Sequence, residues 1–516
     1  MNIDEIHWTT QASYPVLTIL QTLPLVSMVL MLLLRKSRYI VQIGTGLALI
    51  GLLIAIDIYR LFDHTKPALQ LVEHIQIFGA LSWHVGVDGI SVLFILLSNT
   101  LSLMLVLYSR IRKLNPAGLF LAVLFTIMAT IQAMYVTQNL LMFAIMSGIE
   151  LLLIGYLLHR WASFSDGGLC EKRYFQFMGT GIVLFLAGTL MLGWNYAELH
   201  NGFWSFNIND LKSTAVNDNI NSIVFFLLFY GLAIRIPLFP MHGWLPLIAE
   251  HGTVAVSGVL LLGLKTGVYG LIHFVMPVLP NAILQWQEFI VAFALIGIFY
   301  AAILALMQTN LRRLLAFAVI SHTSVLVIGL FTLHHAAFQG SMMLSVNFGL
   351  ATSLLLFMAG LVYHRTHTMQ LSRLGGLFDH IPFIGIAFLI AGLSIIGMPG
   401  TPGFDAVHLM LEASIVRFGA LLTIAAALGN VIAAGFLLYA FQRAFLSPRK
   451  NSLPAYKVQK ITHTETILAA SMIMTLLWAG FHTEPWLDLM ENTLKVLESQ
   501  FVQPGAAHSM LNIEVK

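Results

Sequence analysis

Charge is what this chain has least of. Asp, Glu, Lys and Arg make up 9% of its 516 residues, against roughly a quarter in an average soluble domain. Hydrophobic residues are 58% and the mean hydropathy is +0.85, which excludes a soluble globule and leaves a polytopic membrane protein. Cysteine is almost missing as well. The single Cys170 excludes an intramolecular disulfide, a cysteine-built metal site and an iron–sulfur cluster, so no redox centre is expected in this chain. The net charge is only +3, and the basic residues are scattered over short loops rather than gathered in an arm, which removes any nucleic-acid signal. There is no Gly-rich phosphate loop, catalytic triad or nucleotide fingerprint. The start, Met1-Asn-Ile-Asp-Glu-Ile-His7, is acidic and polar, unlike the basic start of a cleaved signal peptide.

What the chain has in abundance is apolar runs of about 20 residues, the length that crosses a bilayer. They fall near 15–34, 40–60, 88–108, 117–137, 139–158, 173–193, 221–241, 254–274, 285–307, 313–332, 337–363, 383–415, 417–442 and 463–482. The reading is an all-α polytopic membrane protein of about fourteen spans. Cations collect in alternate loops: Arg35, Lys36 and Arg38; Arg110, Arg112 and Lys113; Arg160, Lys172 and Arg173; Arg312 and Arg313; Arg365 and Arg373; Arg443, Arg449 and Lys450. The loops between carry Asp63 and Glu73, or Glu198, Asp210 and Asp218. Cytoplasmic loops hold the Lys and Arg excess, so both termini are expected on the outer side.

Two spans are interrupted by proline pairs, Pro237 with Pro240 in the seventh and Pro399 with Pro402 in the twelfth. Proline removes a backbone donor and clashes with the preceding turn, so each pair is expected to unwind its helix near mid-membrane. An odd spacing between two such breaks predicts an internal repeat inverted in the membrane, with the site at the breaks. The plainer alternative is a simple kink.

Few ionisable groups lie well inside the spans: Glu150, Arg235, Lys265, His322, Asp405, His408 and Glu412. A charge at membrane depth costs about 2.5–3.5 kcal/mol on insertion scales and marks function by default. Glu150 and Arg235 are an obvious pair, since opposite charges offset each other's desolvation; a static brace between helices is the alternative. Lys265 has no opposite charge in its own segment and can shed and regain a proton, which guanidinium cannot. It is the expected carrier, with Arg235 a fixed charge. His322 suits a relay because imidazole titrates nearest neutrality, although a lone membrane histidine is also often a packing residue. Asp405, His408 and Glu412 recur at spacings of three and four, on one helical face, and would pass protons away from the second break; Glu412 with Arg417 otherwise marks a helix end. His242, Glu250 and His251 lack a metal-site spacing. His334, His335, His364 and His367 are expected in solvated loops.

Several motifs carry a family resemblance: Gly86-Val-Asp-Gly-Ile-Ser91, Arg235-Ile-Pro-x-x-Pro-Met-His-Gly-Trp-Leu-Pro246, Lys265-Thr-Gly-Val-Tyr-Gly270, Asn310-Leu-Arg-Arg-Leu-Leu-Ala-Phe317, Ile320-Ser-His322, Leu374-Gly-Gly-Leu-Phe378 and Gly397-Met-Pro-Gly-Thr401. Over residues 80–445 the chain resembles the antiporter-like subunits of complex I, subunit M of bacterial NADH:quinone oxidoreductase in particular, and more broadly those of Mrp cation/proton antiporters and membrane-bound hydrogenases. The resemblance implies inverted repeats of about five helices each, at 111–280 and 281–445, flanked by an N-terminal segment 1–110 and a C-terminal segment 446–516. It also implies proton movement along a polar axis at the membrane centre, no cofactor in this chain, and a place in the bacterial inner membrane. The partners implied are sister membrane subunits and a peripheral energy-coupling module. Where the family has lysine this chain has Arg235; where it has a relay histidine, Phe348, beside Asn347; where it has glutamate, Val407. The expected function is a proton-translocating subunit of a complex I type assembly. The alternatives are a proton channel for inorganic-carbon (CO2/bicarbonate) uptake and a non-conducting structural subunit.

Overall fold

The computed structural model describes residues 5–78, 81–112, 114–161, 168–448 and 459–501; the expected cytoplasmic cations Lys113, Arg449 and Lys450 lie outside the described residues. The chain opens with β1 (Glu5–His7), α1 (Val16–Leu33) and α2 (Ile40–Leu61), followed by a hairpin of β2 (Leu69–Phe78) and β3 (Leu81–Val87). Next come α3 (Gly89–Arg112), α4 (Ala117–Val136), α5 (Leu140–Trp161), α6 (Leu169–Leu199), the short α7 (Ile208–Ser213), α8 (Asp218–Arg235), α9 (Leu245–His251) and α10 (Val254–Gly270). A π turn at Leu271–Val275 carries α10 on into α11 (Met276–Val278). The second half contains α12 (Pro280–Leu306), α13 (Leu311–Leu330), α14 (His335–Thr366), α15 (Pro382–Ile396), α16 (Pro402–Phe418), α17 (Ala420–Phe441), α18 (His463–Phe481) and α19 (Glu484–Glu498).

Among the described helices, 12 are long and apolar enough to cross a membrane. The remaining two expected spans coincide with α10, whose regular part is 17 residues before the π turn, and with the split pair α15 and α16. Helix ends follow local chemistry. Asn310 caps α13 by accepting from Arg312 N at 3.0 Å, and Thr462 with Glu465 forms a reciprocal capping box at α18. The turn after α15 uses Gly397 at φ 91°, where a side chain would be strained. Pro402 sits at the first positions of α16, where its missing N–H costs nothing.

Burial sorts the helices into layers. The most apolar stretch of α14 is wholly buried, that of α4 and of α13 is 89% buried, and that of α6, α17 and α18 only 33% buried. The last three, with α2 at 28% buried, therefore form the rim of the helix array, and α14, packed against α3, α10, α13, α15 and α16, is the central post.

Three strands, β1 parallel to β2 and β2 antiparallel to β3, form a small sheet outside the helical reading of the sequence. Glu73 on β2, read from sequence as a loop acid, is buried and accepts from Leu17 N (3.1 Å) and Thr18 N (3.2 Å). A carboxylate is well placed there, against the positive end of α1. This sheet shares one face of the helix array with α7 and α19. Asn207 of the α7 cap donates to His84 (2.7 Å), Thr493 Oγ1 accepts from Gly89 N (3.3 Å), and Glu498 accepts from His335 N (2.8 Å). His335 thus begins α14 and pairs with Glu491 at 3.3 Å instead of standing in a solvated loop. The opposite face is held by arginines: Arg365 to Glu465 (2.7 Å), Arg313 to Glu250 (3.2 Å) and Arg312 to the Gly252 carbonyl (2.6 Å).

Candidate functional site at the membrane centre

Glu150 occupies the middle of the 22-residue α5 and is fully buried. Arg235 is the last residue of α8, which stops there because Pro237 has no N–H to continue the ladder. The turn is closed by the Trp244 indole donating to Ile234 O at 2.9 Å. From that end the Arg235 guanidinium donates from Nη2 to Glu150 Oε2, and from Nη1 to Ser147 Oγ (3.1 Å) and Thr266 Oγ1 (2.8 Å). Thr266 can accept because its own proton goes to Gly263 O at 2.7 Å. The second carboxylate oxygen of Glu150 is buried with no hydrogen-bond partner among the described residues. Gly263 is what lets α10 close on it, since a Cβ there would run into Glu150 Oε1.

Lys265 sits near the centre of the continuous helix formed by α10, the π turn and α11, but on another flank. Gly263, Thr266 and Gly267 face the Glu150–Arg235 pair, and at about 100° per residue Lys265 points well away from that stripe. It is 5% exposed and makes no hydrogen bond or ion pair among the described residues. Its own face continues one and two turns on with Tyr269 and His273. Sequence placed Glu150, Arg235 and Lys265 in one site; the structure brings the first two into contact and puts Lys265 across the helix from them.

In the second half His322 lies mid-way along α13, 2% exposed, with both ring nitrogens unpartnered among the described residues. The Phe348 ring packs against it with centroids 4.9 Å apart. Asn347 faces the second break: its Nδ2 donates to Ser394 O (2.9 Å) and its Oδ1 accepts from Ser394 Oγ (2.6 Å). The stripe after that break does not join His322. Asp405 is half-buried in the first turn of α16. His408 and Glu412 pair with each other at 3.7 Å, with side chains 72% and 69% exposed on the outer surface of the helix array.

Some polar partners were not legible beforehand. Ser147 and Thr266 read as ordinary helix residues, and only the packing of α5 against α10 aims them at one guanidinium. Asp88, part of Gly86–Ser91, lies with Oδ2 3.3 Å from His273 Nδ1. Lys212 of α7 lines the same small cavity, and burial pulls its ammonium down to about 8, Asp88 acting in the opposite sense. The recurrence of Lys265, Tyr269 and His273 every four residues was the available signal.

A family model described as NADH:quinone oxidoreductase/Mrp antiporter, TM, matches residues 137–434. NADH-quinone oxidoreductase subunit M of Escherichia coli (strain K12) is 26% identical over 431 residues, which is 82% of this chain and 84% of that protein. A chain of respiratory complex I from Thermus thermophilus superposes with a TM-score of 0.82 at 23% identity, covering 94% of this chain and 100% of that one. A chain of the Mrp complex from Dietzia sp. DQ12-45-1b gives 0.81 at 15% identity, covering 94% and 99%. At these identities the solved structures share the fold.

Proposed function

Because the chain belongs to the NADH:quinone oxidoreductase/Mrp antiporter TM family, we propose that it is a proton-translocating, antiporter-like membrane subunit of a complex I type assembly. The observation that carries this reading is the buried Glu150–Arg235 pair with, across α10 from it, a buried Lys265 that is unpaired among the described residues. An ion pair in a dry interior is attractive only while both partners are charged and in place. A charge arriving from a neighbouring subunit changes the field at Glu150, and Arg235 answers by moving, since it cannot lose its proton. Lys265, separated from the pair by the width of α10, feels that movement through a low dielectric and takes up or gives up its own proton. The three groups then divide the work: Glu150 senses, Arg235 transmits and Lys265 carries.

The driving free energy comes from partners, because the composition offers no redox or nucleotide chemistry. Escherichia coli subunit M and the Thermus and Dietzia chains are members of multi-subunit membrane assemblies by their names, and this chain is proposed to pack against sister subunits in the same way. The outward-facing His408–Glu412 pair supports a protein neighbour, since charge facing hydrocarbon is costly. The inner membrane of a bacterium, with the sheet and α19 on the periplasmic face, is the proposed location.

The test replaces Lys265 by arginine. Lys265→Arg keeps a cation at the site but cannot release its proton. The expected result in proteoliposomes holding the co-purified assembly is loss of proton translocation with normal subunit composition. Translocation at the wild-type rate would refute the carrier role.

A further inference from the structure

Proton movement across a membrane needs an opening to each side, and His322 in the second half is closed in by the described residues, 2% exposed. Both imidazole nitrogens there lack partners among the described residues, Phe348 covers the ring and Asn347 is occupied with Ser394. The first half has a built chamber instead. On the face that carries the sheet, a cavity of about 70 Å³ is lined by Asp88, Gln138, Asn209, Lys212, His273 and Thr493 among others. That is room for more than one water molecule; the wall is mostly apolar, and these polar members of it are the partners water would find there. His273 is 8% exposed and lines the chamber; its Nδ1 is held by Asp88 at 3.3 Å, and its Nε2 is buried without a protein partner. Asp88 is itself fixed by Ser91 N at 2.7 Å. A histidine fixed at one nitrogen and unpartnered at the other is arranged to accept a proton and pass one on.

The same histidine belongs to the helix of Lys265. Lys265, Tyr269 and His273 follow at i, i+4 and i+8 along one face, about 12 Å from first to last. The Tyr269 ring stacks on His273 with centroids 4.8 Å apart, and its hydroxyl lies 3.0 Å from Ser91 Oγ. His273 falls inside the π turn Leu271–Val275, and isolated π turns in helices are frequent at functional positions.

We infer that the chamber bounded by Asp88, Lys212 and His273 is the outer port through which Lys265 exchanges protons with the medium, by way of the Tyr269 face of the helix. The inference rests on the proposed function, since it supplies the exit that reading requires. A proton leaving Lys265 is taken up at the buried His273 Nε2, the proton carried on Nδ1 passes to the Asp88 carboxylate 3.3 Å away, and Asp88, which lines the chamber, releases it to water there. Lys212, at the chamber wall, repels other cations while it is protonated.

The test measures proton flux into proteoliposomes of the co-purified assembly under a valinomycin-imposed potassium potential, for the wild type, Lys265→Ala, His273→Gln and Asp88→Asn. The expected result is at least a tenfold loss of flux in all three variants at wild-type assembly. Loss in Lys265→Ala with wild-type flux in the other two overturns the port and leaves the proposed function standing. Flux independent of Lys265 overturns the proposed function itself, and the port with it. Should the Asp88 or His273 variants fail to assemble, Asn209→Cys on the chamber wall is treated with a membrane-impermeant methanethiosulfonate. Block from the sheet face alone supports the port, and undiminished flux overturns it.

Discussion

At the scale of single residues the site is governed by how a buried charge is matched. Glu150 is enclosed on every side and has one cation, while Arg235 divides its donors between that carboxylate and two hydroxyls. Removing one member leaves the other uncompensated, which for buried pairs costs about 3–5 kcal/mol, whereas replacing both by apolar groups is often neutral or better. Glu150→Gln is therefore expected to lower the melting temperature of the detergent-solubilised protein sharply, and Glu150→Gln combined with Arg235→Met to recover most of the loss. Equal melting temperatures for the single and double variants would show that the pair is not coupled. The participants in this pair were readable from sequence, as two intramembrane charges of opposite sign whose pairing offsets their desolvation. Ser147 and Thr266 were not, because a hydroxyl in a helix ordinarily satisfies itself on its own backbone.

Between residue and molecule lie the helices, and the two breaks show how differently one sequence signal can be used. Both proline pairs do interrupt their helices, as proline chemistry requires. The first break presents a charged side chain to the interior; the second is held by Asn347 through both atoms of its amide, and the helix after it turns His408 and Glu412 outward. The spacing of Asp405, His408 and Glu412 established a common face but said nothing about which way that face looks. Because the two outer side chains contact little of this chain, His408→Ala with Glu412→Ala is expected to leave its melting temperature unchanged while reducing the yield of neighbouring membrane subunits that co-purify. Unchanged yields would mean that this face meets no protein neighbour.

For the whole molecule the decisive quantity is sidedness. The hydrogen bonds among the sheet, α7, α19 and the starts of α3 and α14 put these on one face, and the arginine contacts of Arg312, Arg313 and Arg365 on the other. The cation-rich loops fall on the second face, which we propose, by the positive-inside rule, to be the cytoplasmic one. Cysteines placed singly at Asn201 and at Lys36, both exposed, are expected to react with an impermeant thiol reagent added outside intact cells only at position 201. Labelling at position 36 alone would reverse the orientation and, with it, the side on which the Asp88–His273 chamber opens.

The sequence by itself determined that this chain spans a membrane many times, roughly where its spans lie, where two of them break, and that few charges fall within them. Each of those follows from local rules of hydropathy, proline geometry and loop charge. Only the tertiary structure decided that Lys265 turns away from Glu150 and Arg235, that Phe348 covers His322, that His408 and Glu412 face outward, and that Asp88, Lys212 and His273 enclose a chamber. The reason is physical: periodicity places a residue on a face of its own helix, but a face becomes interior, rim or cavity wall only through the helices packed against it. The strands follow the same rule, since a short hairpin is stable only where the ends of α1, α3 and α4 are there to receive it.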